Sequence, residues 1–202
     1  MSMNKYTVKS TPPLDKAPLI FAFHGTGGDE HQFFDLAKSL HPDAGVVSPR
    51  GNVSEGGAER FFRRTGEGRY DMVDLAARAE QLGDFVVAWK AEYPDNPVFG
   101  FGYSNGANIL AALMMSRPDL FDRVGLLHPL IPWEPADIAG LSGKPVLISA
   151  GRHDPICPWP LSAQLIDWFE RNGAVVTAEV HGGGHEIRQG EIDGLARLFR
   201  SQ

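Results

Sequence analysis

The sequence predicts an α/β protein with a mostly parallel central sheet and helices on both faces. Short apolar runs alternate with longer stretches of helical period, a pattern that is typical of parallel strands joined by helices. The 202 residues are 43% hydrophobic and 22% charged, as expected of a globular chain with a sizeable core. We therefore expect residues 1–202 to form one domain.

Six short apolar runs are the predicted strands. In chain order they are Leu19–Phe23, Gly45–Ser48, Pro97–Gly102, Arg123–Leu127, Pro145–Ala150 and Ala174–Val180. In a parallel sheet the carboxyl ends of these strands lie along one edge, which is where such sheets bind their ligands.

Five stretches have the spacing of helices. The clearest begins near Asp71, a candidate N-cap, and its apolar residues from Leu75 to Tyr93 recur every three or four positions. The weaker stretches are Glu30–Leu40, Asn105–Ser116, Leu161–Asn172 and Glu191–Arg200.

Two segments have no periodic pattern. Arg50 to Gly68 is rich in glycine and arginine, and a loop of this length in a compact domain is usually functional or mobile. Pro129 to Gly143 carries three prolines and Trp133. Neither segment is long enough to fold as a separate lid, so we expect no cap domain.

The composition excludes several classes of partner. The net charge is −6 and the basic clusters are short, which argues against a nucleic-acid binder or an anionic-membrane binder. The apolar runs are shorter than the roughly 20 residues that span a bilayer, and residues 1–10 are unlike a secretory signal. The single Cys157 fits a reducing compartment. We therefore expect a cytoplasmic protein with a small-molecule partner and no membrane insertion; a homodimer is left open.

A pentapeptide, Gly102-Tyr103-Ser104-Asn105-Gly106, lies between a predicted strand and a predicted helix. In a Gly-x-Ser-x-Gly elbow the serine occupies a tight strand-to-helix turn, and the glycines allow the two elements to approach closely. The alternative is a plain turn capped by Ser104 or Asn105. The flanking elements favour the first interpretation, in which Ser104 is a nucleophile.

A serine nucleophile needs a histidine base and a carboxylate that orients it, and in this arrangement they follow in the order Ser, Asp or Glu, His. Asp154 follows a clear strand, whereas Glu134 and Asp137, after an earlier strand, are its rivals. His185 follows the last strand and a glycine tract, and His181, which directly continues that strand, is the rival base. We expect Asp154 and His185 to form a catalytic triad with Ser104.

Acyl transfer also needs backbone N–H donors for the developing oxyanion. The N–H of Asn105, which follows the nucleophile, is one candidate. The glycine-rich loop at residues 24–28 (HGTGG) offers the N–H of Thr26, with Gly27 as the alternative. The loop lacks the spacing of a dinucleotide or phosphate cradle.

The pocket wall is predicted less directly. Two of its candidates are histidines at strand ends and two are aromatic residues in the irregular segments. The alternative for the first histidine is to shape the following loop by hydrogen bonding, and packing is the alternative for the other three. The four candidates are His24, Phe62, His128 and Trp133.

The chain resembles the phospholipase/carboxylesterase family of small, cap-less α/β-hydrolases over nearly its whole length. The resemblance is carried by residues 24–28 (HGTGG), 102–106 (GYSNG), 151–155 (GRHDP) and 184–186 (GHE), in family order. Residues 60–63 (RFFR) are similar to a segment of the bacterial carboxylesterase branch.

The resemblance implies a Ser-His-Asp enzyme that hydrolyses carboxylic or thiol esters without a metal or an organic cofactor. The thioesterase branch usually has Gln where this chain has Asn105, which favours a carboxylesterase for small to medium esters over an acyl-protein thioesterase or lysophospholipase. A non-catalytic binding protein on the same scaffold is the other alternative, and the three available triad members argue against it.

Overall fold

The computed structural model describes residues 5–66 and 68–200. Eleven strands and five helices follow one another within these residues. They are β1 (Val8–Thr11), β2 (Leu19–Phe23), α1 (Phe34–Leu40), β3 (Gly45–Pro49), β4 (Val53–Glu55), β5 (Ala58–Arg60), β6 (Arg64–Gly66), β7 (Arg69–Tyr70), α2 (Met72–Glu92), β8 (Val98–Tyr103), α3 (Asn105–Ser116), β9 (Arg123–Leu127), β10 (Pro145–Gly151), α4 (Trp159–Arg171), β11 (Val175–His181) and α5 (Gln189–Arg200).

A seven-stranded sheet in the order β1-β3-β2-β8-β9-β10-β11 forms the centre of the molecule. β1 pairs antiparallel with β3, and every other pair in the sheet is parallel. Its central strands are buried along almost their whole length, because helices cover both faces. The predicted α/β class with a mostly parallel sheet is confirmed.

All six predicted strands are present, and no predicted end is wrong by more than one residue. The edge strand β1 was not predicted, because its sequence, Val-Lys-Ser-Thr, is mostly polar. The segment from Arg50 to Gly68 was predicted to be a loop, and that prediction is wrong in part. It contributes β4, β5 and β6 to two small antiparallel hairpins, whose strands of two or three residues are too short for a periodic signal.

The five predicted helices are also present. α1 and α5 pack in the cluster on one face of the sheet, and α2, α3 and α4 pack in the cluster on the other. Asp71 caps α2 by accepting the amide hydrogen of Asp74, as predicted. α1 begins later than predicted, at Phe34, because Asp29 organises turns just before it by accepting the N–H of His31 at its side chain and that of Gln32 at its carbonyl.

The parallel arrangement brings the loops that follow β2, β8, β9, β10 and β11 to one edge of the sheet. The described residues contain no cap domain over this edge. The two small hairpins β4–β5 and β6–β7, between β3 and α2, are an insertion near it. Among the described residues, no helix combines the length and the apolar character needed to cross a bilayer.

Candidate active site

Ser104 lies between β8 and α3 with a backbone conformation of φ 51° and ψ −115°. A positive φ is uncommon for a residue with a side chain and costs conformational energy, so the surrounding chain must hold it. The neighbouring glycines are required by space. A Cβ on Gly102 would lie 2.5 Å from the Gly106 carbonyl carbon, and one on Gly106 would collide with the carbonyl of Phe23.

Three of the predicted site residues meet at this edge of the sheet. The Ser104 Oγ lies 2.9 Å from His185 Nε2, and His185 Nδ1 lies 2.7 Å from Asp154 Oδ2. The Asp154 side chain is fully buried, whereas the His185 side chain is 15% exposed. A histidine in this position can accept the serine proton on one nitrogen while the carboxylate fixes the proton on the other.

The rival residues lie elsewhere. Glu134 and Asp137 are exposed to solvent beyond β9. His181, at the end of β11, accepts the N–H of Gly183 at Nδ1, and its Nε2 lies 3.3 Å from Glu191. None of these side chains reaches Ser104.

Asp154 is held by donors on both of its oxygens. Its Oδ1 accepts the N–H groups of Ile156 and Cys157, and its Oδ2 faces His185 and His128. Burial acts to raise the pKa of Asp154, but these hydrogen bonds together lower it below its usual value. The carboxylate is therefore ionised where the imidazole needs it.

Thr26 and Asn105 are the two predicted oxyanion donors. Among the described residues, the N–H groups of Thr26 and Asn105 have no hydrogen-bond acceptor, and both residues border the cavity at Ser104. The alternative donor, Gly27, is occupied because its N–H donates to the Glu59 carbonyl at 2.9 Å. An unpaired N–H pair beside a nucleophile is the arrangement that stabilises a tetrahedral oxyanion.

Both of these residues are anchored by the segment after β4. The Thr26 hydroxyl accepts a hydrogen bond from Arg60, at 2.9 Å. The Asn105 side-chain oxygen accepts the N–H of Phe61, at 2.8 Å. The hairpin segment, which showed no sequence pattern, thus fixes the loop and the helix start on either side of the serine.

The cavity above Ser104 has a volume of about 320 Å³. Its wall combines polar and apolar side chains. Residues that contribute to it include Thr26, Arg60, Arg64, Tyr70, Leu130 and Ile156. Arg60 and Arg64 belong to the arginine-rich segment for which the sequence left open attraction of an anionic substrate or a solvated loop face, whereas Tyr70 had no signal in the sequence.

The structure places the four residues predicted for the pocket wall away from this cavity. The His24 ring is turned into its own loop, where Nε2 accepts the N–H of Gly51 and Nδ1 donates to the Gly25 carbonyl. Burial lowers the pKa of His24, so this ring is neutral. The other three are buried or face another cavity: Phe62 lies in the core, Trp133 lines a separate cavity beside α4, and His128 lies behind Asp154.

Known proteins with similar sequence or structure have the same overall architecture. No protein-family model matches the chain. The Bacillus subtilis (strain 168) protein named "Putative hydrolase MhqD" is 36% identical over 90% of this chain and 92% of its own length.

Two solved structures are also similar over most of both chains. The crystal structure of the Bacillus cereus carboxylesterase superposes with a TM-score of 0.91 and 35% identity, covering 97% of this chain and 94% of the other. Protein Atu2452 of Agrobacterium tumefaciens, whose function is unknown, superposes with a TM-score of 0.91 and 49% identity, covering 97% and 96%. From this fold and these relatives we conclude that the chain belongs to the phospholipase/carboxylesterase family of the α/β-hydrolases and is a carboxylic ester hydrolase.

Proposed function

We propose that the chain is a serine carboxylesterase in which Ser104 attacks the ester carbonyl. His185 takes the serine proton and then returns it to the leaving alcohol, and Asp154 orients the imidazole and stabilises its cation. The amides of Thr26 and Asn105 bind the oxyanion. A water molecule, activated by the same histidine, then hydrolyses the acyl-enzyme.

The observation that carries this proposal is the continuous hydrogen-bonded chain from the Ser104 hydroxyl through His185 to Asp154, at 2.9 and 2.7 Å. The strained backbone of Ser104 supports it, because strain of this kind is found where function requires it. A scaffold protein without activity would have no need of the two unpaired amides beside the serine.

We propose that the substrates are small to medium esters. A cavity of about 320 Å³ is near the lower end of the roughly 300–1,000 Å³ that is usual for small-molecule sites. Its arginine and tyrosine side chains favour a polar acyl or alcohol group over a long alkyl chain. This distinguishes the proposal from a thioesterase or lysophospholipase that accepts long acyl chains.

A series of p-nitrophenyl esters from acetate to palmitate, together with matched acyl thioesters, tests the reaction and the substrate size. We expect kcat/KM to be highest for short and medium oxygen esters and to fall for the longest chains. Ser104→Ala should lose nearly all turnover with an unchanged circular dichroism spectrum. Wild-type turnover by that variant would contradict the mechanism, and a preference for palmitoyl thioesters would contradict the substrate class.

A further inference from the structure

A second histidine lies directly behind the acid of the proposed triad, between two carboxylates. His128 follows β9 and is fully buried. Its Nδ1 lies 3.0 Å from Asp154 Oδ2, and its Nε2 lies 3.0 Å from Glu191 Oε1. We propose that His128 is an imidazolium that links Asp154 to Glu191 and positions the Asp154 carboxylate for His185. This inference rests on the proposed triad and extends it from three groups to five.

The surroundings of the two ring nitrogens of His128 favour the charged form. Nδ1 forms a hydrogen bond with Asp154, whereas Nε2 lies 3.0 Å from Glu191 as an ion-pair contact outside hydrogen-bond geometry. An ionised carboxylate can only accept hydrogen bonds, whereas a neutral imidazole carries one N–H and one lone pair. A neutral His128 would therefore direct a lone pair at one of the two anions. The imidazolium donates to Asp154 and presents its second N–H beside Glu191, and its positive charge offsets part of the repulsion between the two carboxylates.

The electrostatic balance at the three groups agrees with this assignment. Burial acts to lower the pKa of His128, but Glu191 and Asp154 together raise it above its ordinary value. Burial acts to raise the pKa of Glu191, but the neighbouring His128 and Ser149 side chains and the hydrogen bond from the Arg188 amide together lower it. These directions favour ionised carboxylates on either side of a protonated ring.

The remaining titratable groups around the His128 ring come from β8, β11 and the loops after β10 and β11. They are Tyr103, Cys157, His181 and His185. Burial raises the pKa of Tyr103 to about 12 and also raises that of Cys157, so both are neutral at physiological pH. The negative charge that acts on His128 therefore comes from its two carboxylate partners.

The backbone of His128 is itself strained, with φ at 49°. A left-handed conformation in a residue with a side chain persists only where the surroundings hold it. Here the N–H of His128 donates to the Ser149 carbonyl of the adjacent strand, and the Cys157 thiol donates to the His128 carbonyl. The strained turn directs the ring beneath the sheet edge, toward Asp154, rather than into the cavity.

A metal ion is the alternative occupant of this cluster. Ligand atoms of His128, His181 and Glu191 lie within 4.8 Å of one another, and these residue types bind zinc. The hydrogen bond from the Gly183 N–H to His181 Nδ1, however, places the His181 proton on Nε2, the atom that faces Glu191. A zinc ligand would need the lone pair of that nitrogen, so the geometry favours protons over a metal.

Nitrogen-15 NMR of the resting enzyme, labelled at the histidine rings, tests the protonation state directly. We expect one histidine to retain protons on both ring nitrogens at pH 8, and we expect its resonances to disappear in His128→Gln. A neutral His128 at pH 7 would overturn the proposal. Stoichiometric zinc that survives gel filtration and binds through His128 would overturn it too. Because this spectrum needs no substrate, its outcome is independent of whether Ser104 is the nucleophile.

The positioning role is tested by Glu191→Gln, which removes one carboxylate charge and nearly preserves the shape of the side chain. We expect kcat to fall about 10- to 100-fold, the effect of losing one charge-assisted hydrogen bond, with KM little changed. His128 should also lose its second ring proton at pH 8. Glu179→Gln on β11, whose side chain pairs with Arg197 outside this cluster, is the matched control and should leave kcat unchanged.

If His128→Gln does not fold, Glu191→Gln alone still decides the question. A Glu191→Gln enzyme with wild-type kcat and a wild-type histidine spectrum would show that the cluster only packs behind the site. Loss of kcat together with loss of the second His128 proton would establish the five-group arrangement.

Discussion

Asp154 illustrates how much of the proposed chemistry depends on the hydrogen bonds of one side chain. It follows β10 in the turn that begins at Gly151, and four donors surround its two oxygens: the amides of Ile156 and Cys157 and the rings of His128 and His185. A buried carboxylate without such donors would take up a proton and could not stabilise an imidazolium. The hydrogen bonds therefore keep the Asp154 carboxylate ionised although it is buried.

The same buried charges make stability depend on pH. The pKa of Glu191 is lowered on folding, so its ionised form stabilises the protein above the unfolded value of about 4.3. That contribution is lost as the pH falls through the lower pKa of the folded state. We expect the free energy of unfolding of Glu191→Gln to lie about 1–3 kcal/mol below that of the wild type at pH 6. We expect the difference to shrink below about pH 4.

Urea denaturation at a series of pH values measures this difference, with Glu179→Gln as the control for an exposed ion pair. A gap between the two unfolding energies that stays constant from pH 6 to strong acid would contradict the account. In that case Glu191 would be protonated, and therefore uncharged, in the folded state.

At the scale of secondary structure, the hairpin strands β4 to β7 support the site from outside the main sheet. β5 accepts the Gly27 amide at the Glu59 carbonyl, which leaves Thr26 as the unpaired donor of its loop. Arg60, only 4% exposed, holds the Thr26 hydroxyl and lies 3.4 Å from Glu55. The segment therefore occupies the Gly27 amide and holds the Thr26 side chain, which leaves the Thr26 amide available for the proposed oxyanion site.

Arg60→Met tests this support, because it keeps an apolar stem of similar length and removes the guanidinium. We expect kcat to fall about 10- to 100-fold, since loosening an oxyanion donor should cost less than the 10²–10³ that deleting one costs. Arg69→Met, at an exposed arginine of β7, is the control and should retain activity. Equal kcat values for the two variants would contradict a role of Arg60 in the oxyanion site.

At the scale of the whole molecule, the order of the strands explains why most of the site could be predicted. Ser104, Asp154 and His185 each follow a strand of the parallel sheet, so strand positions alone place them along one edge. The glycine spacing around Ser104 adds a local signal, because its close contacts allow no side chain there. The predicted strands are present, and His185 lies within hydrogen-bond distance of both Ser104 and Asp154; the catalytic roles of the three residues remain a proposal.

The pocket wall could not be predicted in the same way. His24 and His128 do follow strands, but their rings do not enter the cavity. The His24 ring turns into its own loop, where it accepts the N–H of Gly51. The His128 ring lies beneath the sheet edge, where the backbone N–H of His128 donates to the Ser149 carbonyl. Strand periodicity gives the position of a residue along the chain, not the direction in which a strand-end side chain points. The short hairpins that bring Arg60 and Arg64 to the cavity leave no periodic pattern at all.

The central claim is that Ser104 is the nucleophile of a five-group site. Labelling the intact protein with a fluorophosphonate, followed by peptide mapping by mass spectrometry, tests it most directly, because the reagent modifies only a serine that a base has activated. We predict one equivalent of label, located on Ser104, with none on Ser104→Ala and slower labelling of Glu191→Gln. Label on another residue, or a folded wild-type protein that takes up none, would contradict the account.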